Sequence, residues 1–246
     1  MRIIMTSSIG GSIKENGKKI PAPLLGDNNF LEKIQNEWVY NSKVMIIAAS
    51  PNDYERNDMI CECFTQSFPM SGLSISCMEI CDNRNEKLAD KIKEMDVVLL
   101  AGGHVPTQNN FFHRVGLKNR LEDFNGLLIS WSAGSMNCAD IVYAGPEMEG
   151  EAIDPNYTRW IQGLGITNIN ILPHFQSMRE EWLDGFRLIE DITFEDSMGH
   201  EIIGLNDGSY ITIEDGVTRL FGEAYKIIDG KIEIICQNGM SIVLKE

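Results

Sequence analysis

The chain has 246 residues, of which 43% are hydrophobic and 23% are charged, a composition typical of a soluble globular protein. Its formal net charge of −15 argues against nucleic acid as a partner, because phosphate binding requires clustered lysine and arginine. No stretch approaches the ~20 apolar residues of a membrane span, and the apolar start is too short for a signal peptide. We therefore expect a cytoplasmic protein with no membrane partner and with one domain, residues 1–246.

Short apolar runs alternate with polar, helix-like segments through the first half of the chain. The runs at 3–5, 44–49, 73–77, 97–100 and 127–129 are predicted strands, and the spacing at 53–68 and 85–94 predicts helices. Several of the runs are apolar throughout, as buried parallel strands are. The alternation predicts an α/β fold with a doubly wound parallel sheet. Residues 10–19 do not have the spacing of a phosphate-binding loop and are expected to form a flexible loop.

The last third of the chain has a different pattern, with short β runs broken by turn residues. The runs lie at 201–208, 210–214, 218–222, 226–228 and 231–236, and the turns at 206–208, 215–216 and 229–230. We expect C-terminal β-hairpins that extend the sheet rather than a second domain. Neither an internal repeat nor a linker interrupts the sequence.

The six cysteines predict neither disulfides nor a metal site. They are scattered through a mid-sized chain without a secretory signal, which favours reduced thiols. The pairs Cys61/Cys63 and Cys77/Cys81 lack the two-residue spacing of a zinc knuckle.

The segment 127–135, LLISWSAGS, predicts an exposed nucleophile at Ser132. An apolar strand ends at a serine and small residues follow where a helix would begin, as in the G-x-S-x-G turn. Ser130 stands where that pattern has its first glycine, and we expect this small side chain to fit.

A serine hydroxyl needs a base, and His174 is the candidate among the four histidines. It follows the apparent strand that ends at Pro173, where the loops of an α/β fold gather functional groups. His113 and His200 are expected to be structural or exposed. The acid that would orient His174 stays open among residues between Ser132 and His174, namely Glu147, Glu149, Glu151 and Asp154.

Acyl transfer also requires backbone donors for the developing oxyanion. The N–H of Ala133, directly after the nucleophile, is one candidate. The pair Gly102-Gly103 follows the strand at 97–100 and could supply the second, because glycine lets a substrate approach the main chain closely.

Taken in order, the glycine pair, WSAG at 131–134 and PHF at 173–175 resemble the peptidase E (aspartyl dipeptidase) family, to which cyanophycinases are related. The resemblance implies a flavodoxin-like, three-layer fold similar to class I glutamine amidotransferases, with serine in place of their cysteine. It implies Ser132 as nucleophile and His174 as general base, with Glu147 at the position of the third triad member. Gly103 and Ala133 would then form the oxyanion hole, without a cofactor or metal.

Three positions depart from the family pattern. His104 replaces an asparagine after the glycine pair, Ser130 replaces a smaller residue, and Met136 stands where asparagine is frequent, with Asn137 next to it. The residues that would hold a substrate aspartate are not evident. His104, Arg159 and Arg179 are the candidate substrate-binding residues.

The sequence thus predicts a serine peptidase that hydrolyses small peptides through an acyl-serine, with N-terminal aspartate as one specificity. The alternative is a non-catalytic relative that binds a small ligand in the same crevice, and a missing Ser132–His174 hydrogen bond would favour it. A glutamine-amidotransferase-like partner domain is disfavoured, because Ser132 occupies the elbow and Cys138 lies too far along the chain. The oligomeric state is open, with a homodimer among the alternatives.

Overall fold

A computed structural model describes residues 1–15 and 17–245. Its strands are β1 Arg2–Thr6, β2 Gly10–Glu15, β3 Lys18–Leu24, β4 Ser42–Ile47, β5 Ile75–Cys81, β6 Val97–Leu100, β7 Leu127–Trp131, β8 Ile141–Tyr143, β9 Trp160–Gln162, β10 Asn170–Leu172, β11 Trp182–Leu183, β12 Phe186–Arg187, β13 Ile202–Leu205, β14 Tyr210–Glu214, β15 Val217–Phe221, β16 Ala224–Ile228, β17 Lys231–Cys236 and β18 Ser241–Leu244. Its α-helices are α1 Phe30–Glu37, α2 Tyr54–Met70, α3 Val105–Arg114, α4 Leu117–Glu122, α5 Ala133–Met136, α6 Phe175–Met178 and α7 Phe194–Asp196. Segments of 3₁₀ helix cover Asp27–Asn29 and Glu86–Glu94, and a π-helical segment covers Leu188–Thr193.

The main sheet has eight strands in the order β18-β15-β14-β1-β7-β6-β4-β5. Strands β1, β7, β6, β4 and β5 run parallel, whereas β14, β15 and β18 join antiparallel at one edge. The predicted doubly wound, mostly parallel sheet is confirmed. The predicted helix at 53–68 corresponds to α2, and that at 85–94 forms a 3₁₀ helix.

Helices cover both faces of this sheet, which gives three layers. Alternate residues of β1 face opposite sides: Ile3 and Met5 belong to one apolar core, and Ile4 belongs to the other. The first core is closed by α3, α4 and the 3₁₀ helix Glu86–Glu94, and the second by α1 and α2. Because the central strands are buried on both sides, they are apolar throughout, as in β6, where all four residues are buried. Among the described helices, none is long and apolar enough to cross a membrane.

The C-terminal strands divide between two sheets, which differs from the expectation that they all extend the main one. Strands β14, β15 and β18 extend the main sheet, but β13, β16 and β17 join β10 in a second, four-stranded sheet. Within it β10 and β13 are parallel, with Leu172 opposite Gly204. The sequence pattern is the same for both groups, because short alternating strands do not specify which partner they pair with.

The expectation of a flexible loop at residues 10–19 is wrong. Strands β2 and β3 pair antiparallel there and pack against α2. Gly10 and Gly11 have φ values of 78° and 81°, and a Cβ on Gly11 would lie 2.6 Å from the Phe64 ring. The chain thus needs glycine at these two positions because the hairpin begins in a tight, closely packed conformation, and not because the segment is flexible.

Candidate active site

Ser132 lies on a strained turn between β7 and α5. Its φ of 51° and ψ of −124° are unfavourable for a residue with a side chain, and such strain persists only when neighbouring contacts hold it. The Ser132 N–H lies 3.1 Å from the Thr6 carbonyl oxygen and 3.2 Å from that of Ser7, at the end of the adjacent strand β1. Gly134 packs so closely that a Cβ would lie 2.3 Å from the Leu100 oxygen. The small residues around the serine are therefore required by this close packing.

Ser130 fits where the motif pattern has glycine because polar partners receive its side chain. The residue is fully buried, and its hydroxyl lies 3.0 Å from that of Ser135, which donates to the Thr6 carbonyl at 2.9 Å. Cys138 is buried beside this pair, and burial raises the pKa of its thiol to about 12. Cys138 is therefore a buried, protonated thiol rather than a nucleophile.

His174 is positioned by the second sheet. Strands β10 and β13 are parallel neighbours, so the residues that follow their carboxyl ends lie side by side. His174 comes two residues after β10, and Asp207 comes two residues after β13. The His174 Nδ1 lies 2.7 Å from the Asp207 Oδ1. Because a carboxylate only accepts, Nδ1 carries the proton and Nε2 is left as the basic nitrogen.

Asp207 is ionised in this arrangement. Partial burial by itself would raise its pKa, but hydrogen bonds from His174, Ser7 and Gln176 outweigh burial and lower the pKa below its usual value. The sequence does not single out Asp207, because Asn206-Asp207-Gly208 predicts only a turn. The signal that could have identified Asp207 is its position: it is an acidic residue that directly follows a strand and comes after His174 in the chain.

Ser7 connects the serine to the histidine–aspartate pair. Its hydroxyl donates to Asp207 Oδ1 at 2.7 Å and accepts the His174 N–H at 2.7 Å, while its carbonyl accepts the Ser132 N–H. The residue is fully buried at the end of β1, between β7 and the second sheet. All three residues are thus held by one short segment after the first strand.

The loop after β6 brings Gly103 to the same site. A Cβ on Gly102 would lie 3.0 Å from the Ser132 Cβ, so only glycine permits this approach. The loop is fixed by Asn137, which donates to the Val105 carbonyl at 3.2 Å and to Gln108 at 3.0 Å. Within the described part of the chain, neither the Gly103 nor the Ala133 N–H donates a hydrogen bond.

Glu147 lies in the cleft but does not contact the His174 Nδ1, which Asp207 occupies. Its Oε1 accepts the Val105 N–H at 3.3 Å, at the start of α3. The loop around it is exposed, yet its carboxylate is crowded by the walls of the cleft. This desolvation, with a smaller contribution from the charge of Glu151, raises its pKa to about 7 despite the Val105 N–H and nearby His174.

The other acids considered for this role have different partners. The Glu151 carboxylate accepts the N–H groups of Glu147 and Met148, at 2.9 and 3.0 Å, and its Oε1 lies 2.9 Å from His104 Nε2. Asp154 accepts the Asn156 N–H in an exposed turn. Glu149 is exposed on the same loop.

The candidate substrate-binding residues are not gathered at the cleft. His104 is engaged by Thr107 and Glu151. The Arg159 Nε lies 3.6 Å from Asp196, and its guanidinium lies over the Tyr157 ring. Arg179 is exposed and lies over an aromatic ring. His113 contacts the Gln162 carbonyl, and His200 stacks on Trp160, both away from the cleft.

A cavity of about 430 Å³ lies beside the serine, the histidine and the Gly102-Gly103 loop. Gly103, Ser132, Glu147 and His174 line it, together with apolar side chains. Within the described chain, no hydrogen bond joins Ser132 and His174. No group of three or more histidine, cysteine, aspartate or glutamate side chains among these described residues is arranged to bind a metal.

The sequence profile of Peptidase family S51 matches residues 28–221, a span that includes Ser132, His174 and Asp207. The chain belongs to peptidase family S51. The predicted membership of the peptidase E family is thereby confirmed.

Solved structures agree with the S51 assignment at the level of the fold. A peptidase from an acI-B1 Actinobacterium superposes with a TM-score of 0.66 at 15% identity, over 99% of this chain and 96% of that one. A protein assigned as peptidase E from Listeria monocytogenes EGD-e gives 0.59 at 15% identity, over 89% and 96%. No curated protein matches the S51 chain in sequence.

Proposed function

We propose that the chain is a serine peptidase that releases the N-terminal residue of small peptides through an acyl-serine intermediate. The observation that carries this proposal is the Asp207–His174 pair. It leaves Nε2 of a neutral imidazole as a base in the cavity where Ser132 lies on its strained turn. In this assignment Asp207, rather than Glu147, is the acid of the triad.

The proposed reaction follows from these positions. His174 Nε2 takes the Ser132 proton as Oγ adds to the peptide carbonyl, and the N–H groups of Gly103 and Ala133 stabilise the oxyanion. The C–N bond breaks as the imidazolium gives its proton to the leaving amine. Water then adds to the acyl-enzyme with His174 as base again, releasing the acid and Ser132. Asp207 holds the tautomer and stabilises the imidazolium.

Glu147 has a different part in this proposal. Its carboxylate lies in the cleft close to His174 and has no cationic partner among the described residues. A carboxylate in this position is suited to the α-ammonium of a substrate whose first carbonyl is attacked by Ser132. This would limit the products to single N-terminal residues.

One observation favours a second function. The absence of a Ser132–His174 hydrogen bond is the feature expected of a non-catalytic relative that binds a ligand in the same cleft. Against it, catalytic hydrogen bonds are often long in unliganded enzymes and shorten when substrate binds. The Asp207–His174 bond, which a binding protein would not need, is already formed at 2.7 Å.

Hydrolysis of a dipeptide panel by the wild type and three variants tests the two functions. We expect Ser132→Ala to lower kcat/KM by roughly 10³-fold or more, and Asp207→Asn by roughly 10³–10⁴-fold because the wrong tautomer is then favoured. Glu147→Gln should instead act mainly on KM. If the wild type binds dipeptides in calorimetry but cleaves none of them, the peptidase proposal is wrong and the binding function is favoured.

A further inference from the structure

The cavity beside Ser132 is acidic, and its carboxylates lack cationic partners. Glu147 and Glu181 both line it, whereas no described lysine or arginine does. Glu147 accepts only the Val105 N–H, and in the described part of the chain the Glu181 side chain forms no hydrogen bond or ion pair. An incoming cation would therefore meet two carboxyl groups without a cationic partner, and its charge would favour the ionised form of Glu147.

The arginines Arg159, Arg179 and Arg187 do not line the cavity and have other contacts. The Arg187 side chain makes two hydrogen bonds to Asp191, at 2.5 and 3.0 Å, and the Arg179 guanidinium lies over the rings of Phe175 and Tyr225. Arg159 lies 3.6 Å from Asp196. A substrate aspartate in this cavity would thus gain no cationic partner from a lysine or arginine and would be repelled by the like charges of the carboxylates.

Apolar side chains line the cavity together with Glu181. Met178, Leu183 and Leu188 are among them, and the Glu181 N–H donates to the Met178 carbonyl at 3.2 Å. Glu181 itself is exposed at the rim. A long side chain with a methylene stem and a charged tip suits such a surface, because the stem packs on apolar atoms while the tip reaches a partly hydrated carboxylate.

We propose that the cavity selects substrates whose N-terminal residue is lysine or arginine, with Glu181 as the residue that recognises the side-chain cation. The proposal rests on the peptidase function proposed above. Glu147, near His174 and Gly103, faces the α-ammonium of the substrate. Glu181, at the rim of the cavity, faces the substrate side chain. A peptide with a basic N-terminal residue carries two cations for these two carboxylates.

The test compares lysyl-alanine, norleucyl-alanine and aspartyl-alanine as substrates. Norleucine is lysine without its ammonium group, so the ratio of kcat/KM for the first two isolates the charge. We expect the wild type to prefer lysyl- over norleucyl-alanine by about fivefold, as for a partly exposed ion pair. Aspartyl-alanine should be at least about tenfold poorer than norleucyl-alanine.

Two variants and one control assign the preference to Glu181. Glu181→Gln should lower the lysine-to-norleucine ratio to about 1, and Glu181→Lys should invert it and raise the aspartate-to-norleucine ratio. Glu180→Gln removes an adjacent exposed carboxylate that does not line the cavity and should keep the wild-type ratio.

The outcomes separate the two proposals. Cleavage of norleucyl-alanine with no preference for lysine, or a preference for aspartate, overturns the substrate assignment while the peptidase function stands. A lysine preference that Glu181→Gln leaves unchanged also overturns the role of Glu181. If none of the three dipeptides is cleaved, the proposed function fails, and the substrate assignment fails with it.

Discussion

At the scale of single residues, Ser7 is the residue on which the geometry of the site depends most. Its hydroxyl contacts both the Asp207 carboxylate and the His174 N–H at 2.7 Å, and its carbonyl holds the strained Ser132 turn. A side chain without a hydroxyl would leave the backbone at position 7 unchanged but would free Asp207 and His174 to move. Ser7 is thus a positioning residue rather than a catalytic one.

Ser7→Ala should therefore lower kcat by about ten- to a hundredfold with little change in KM, since it removes a buried hydrogen bond to a charged group. The lost bond also raises the pKa of Asp207, which should move the acid limb of the kcat/KM profile to higher pH. Ser8→Ala is the matched control, because its side chain makes no hydrogen bond within the described chain. A Ser7→Ala variant with a wild-type pH profile would contradict the positioning role.

The sequence predicted the serine and histidine of the candidate site but not its acid. Ser132 and His174 are preceded by recognisable strand ends, so their residue types and local pattern identify them. Asp207 lies in an Asn-Asp-Gly turn, which has the same composition whether or not its carboxylate contacts a histidine. Its role depends on the parallel pairing of β10 with β13, a contact that no local pattern encodes.

At the scale of elements, the cavity rim is built from a loop and a hairpin that are tied together. The Asp184 carboxylate, in the turn between β11 and β12, accepts the N–H groups of Gly150 and Ala152 at 2.9 to 3.0 Å. On the other side of the loop, Glu151 accepts the Glu147 N–H and contacts His104. The loop that carries Glu147 is thus held at two points.

We expect Asp184→Gly to loosen this rim without unfolding the chain. Glycine tolerates the positive φ of 53° at this position, so the variant removes the carboxylate without adding backbone strain. Hydrogen exchange should speed up at the amides of Gly150 and Ala152, and KM should rise severalfold because both Glu147 and Glu181 lose their fixed separation. Asp154→Gly, in the same exposed segment but away from the hairpin, is the control. Unchanged exchange at both amides would show that Asp184 does not restrain the loop.

Whether a strand could be predicted from the sequence depends on how the strand is buried and on the residues that flank it. Strand β6 is buried on both faces, so its apolar run alone identifies it, and β14 and β17 match their predicted bounds because turn residues flank them. The β2–β3 hairpin is not evident from the sequence, because it needs Gly10 to pass close to Leu25 and Gly11 to pack against Phe64. In the sequence, glycines of this kind are indistinguishable from those of a mobile loop.

At the scale of the whole molecule, the site lies where two sheets meet. Strands β1 and β7 of the main sheet carry Ser7 and Ser132 at their ends, and β10 and β13 of the second sheet precede His174 and Asp207. Residues distant in sequence are therefore brought to one cleft by the relative placement of the sheets. This placement could not be predicted, because the C-terminal strands that join the main sheet and those that form the second sheet have similar short patterns.

The cleft also couples the stability of the whole chain to pH through Glu147. Burial raises its pKa from an ordinary value near 4.5 to about 7, so in this window the unfolded chain loses a proton that the folded chain retains. The free energy of unfolding therefore falls as the pH rises from about 4.5 to 7. Below this window Glu147 is protonated in both states, and its contribution no longer changes with pH.

Glu147→Gln should remove this pH dependence, since glutamine is neutral throughout. The Tm values of wild type and variant should agree near pH 4.5. At pH 7.5 the Tm of the variant should be higher by about 2–4 °C, a difference kept small by solvent screening at the exposed loop.

Glu151 and His174 face the same carboxylate and are present in both proteins, so the difference between the two curves of Tm against pH isolates Glu147. Glu149→Gln, on the same loop but outside the cavity, should follow the wild type. Parallel curves for wild type and Glu147→Gln would contradict the raised pKa of Glu147 and hence the desolvation of its carboxylate by the cleft.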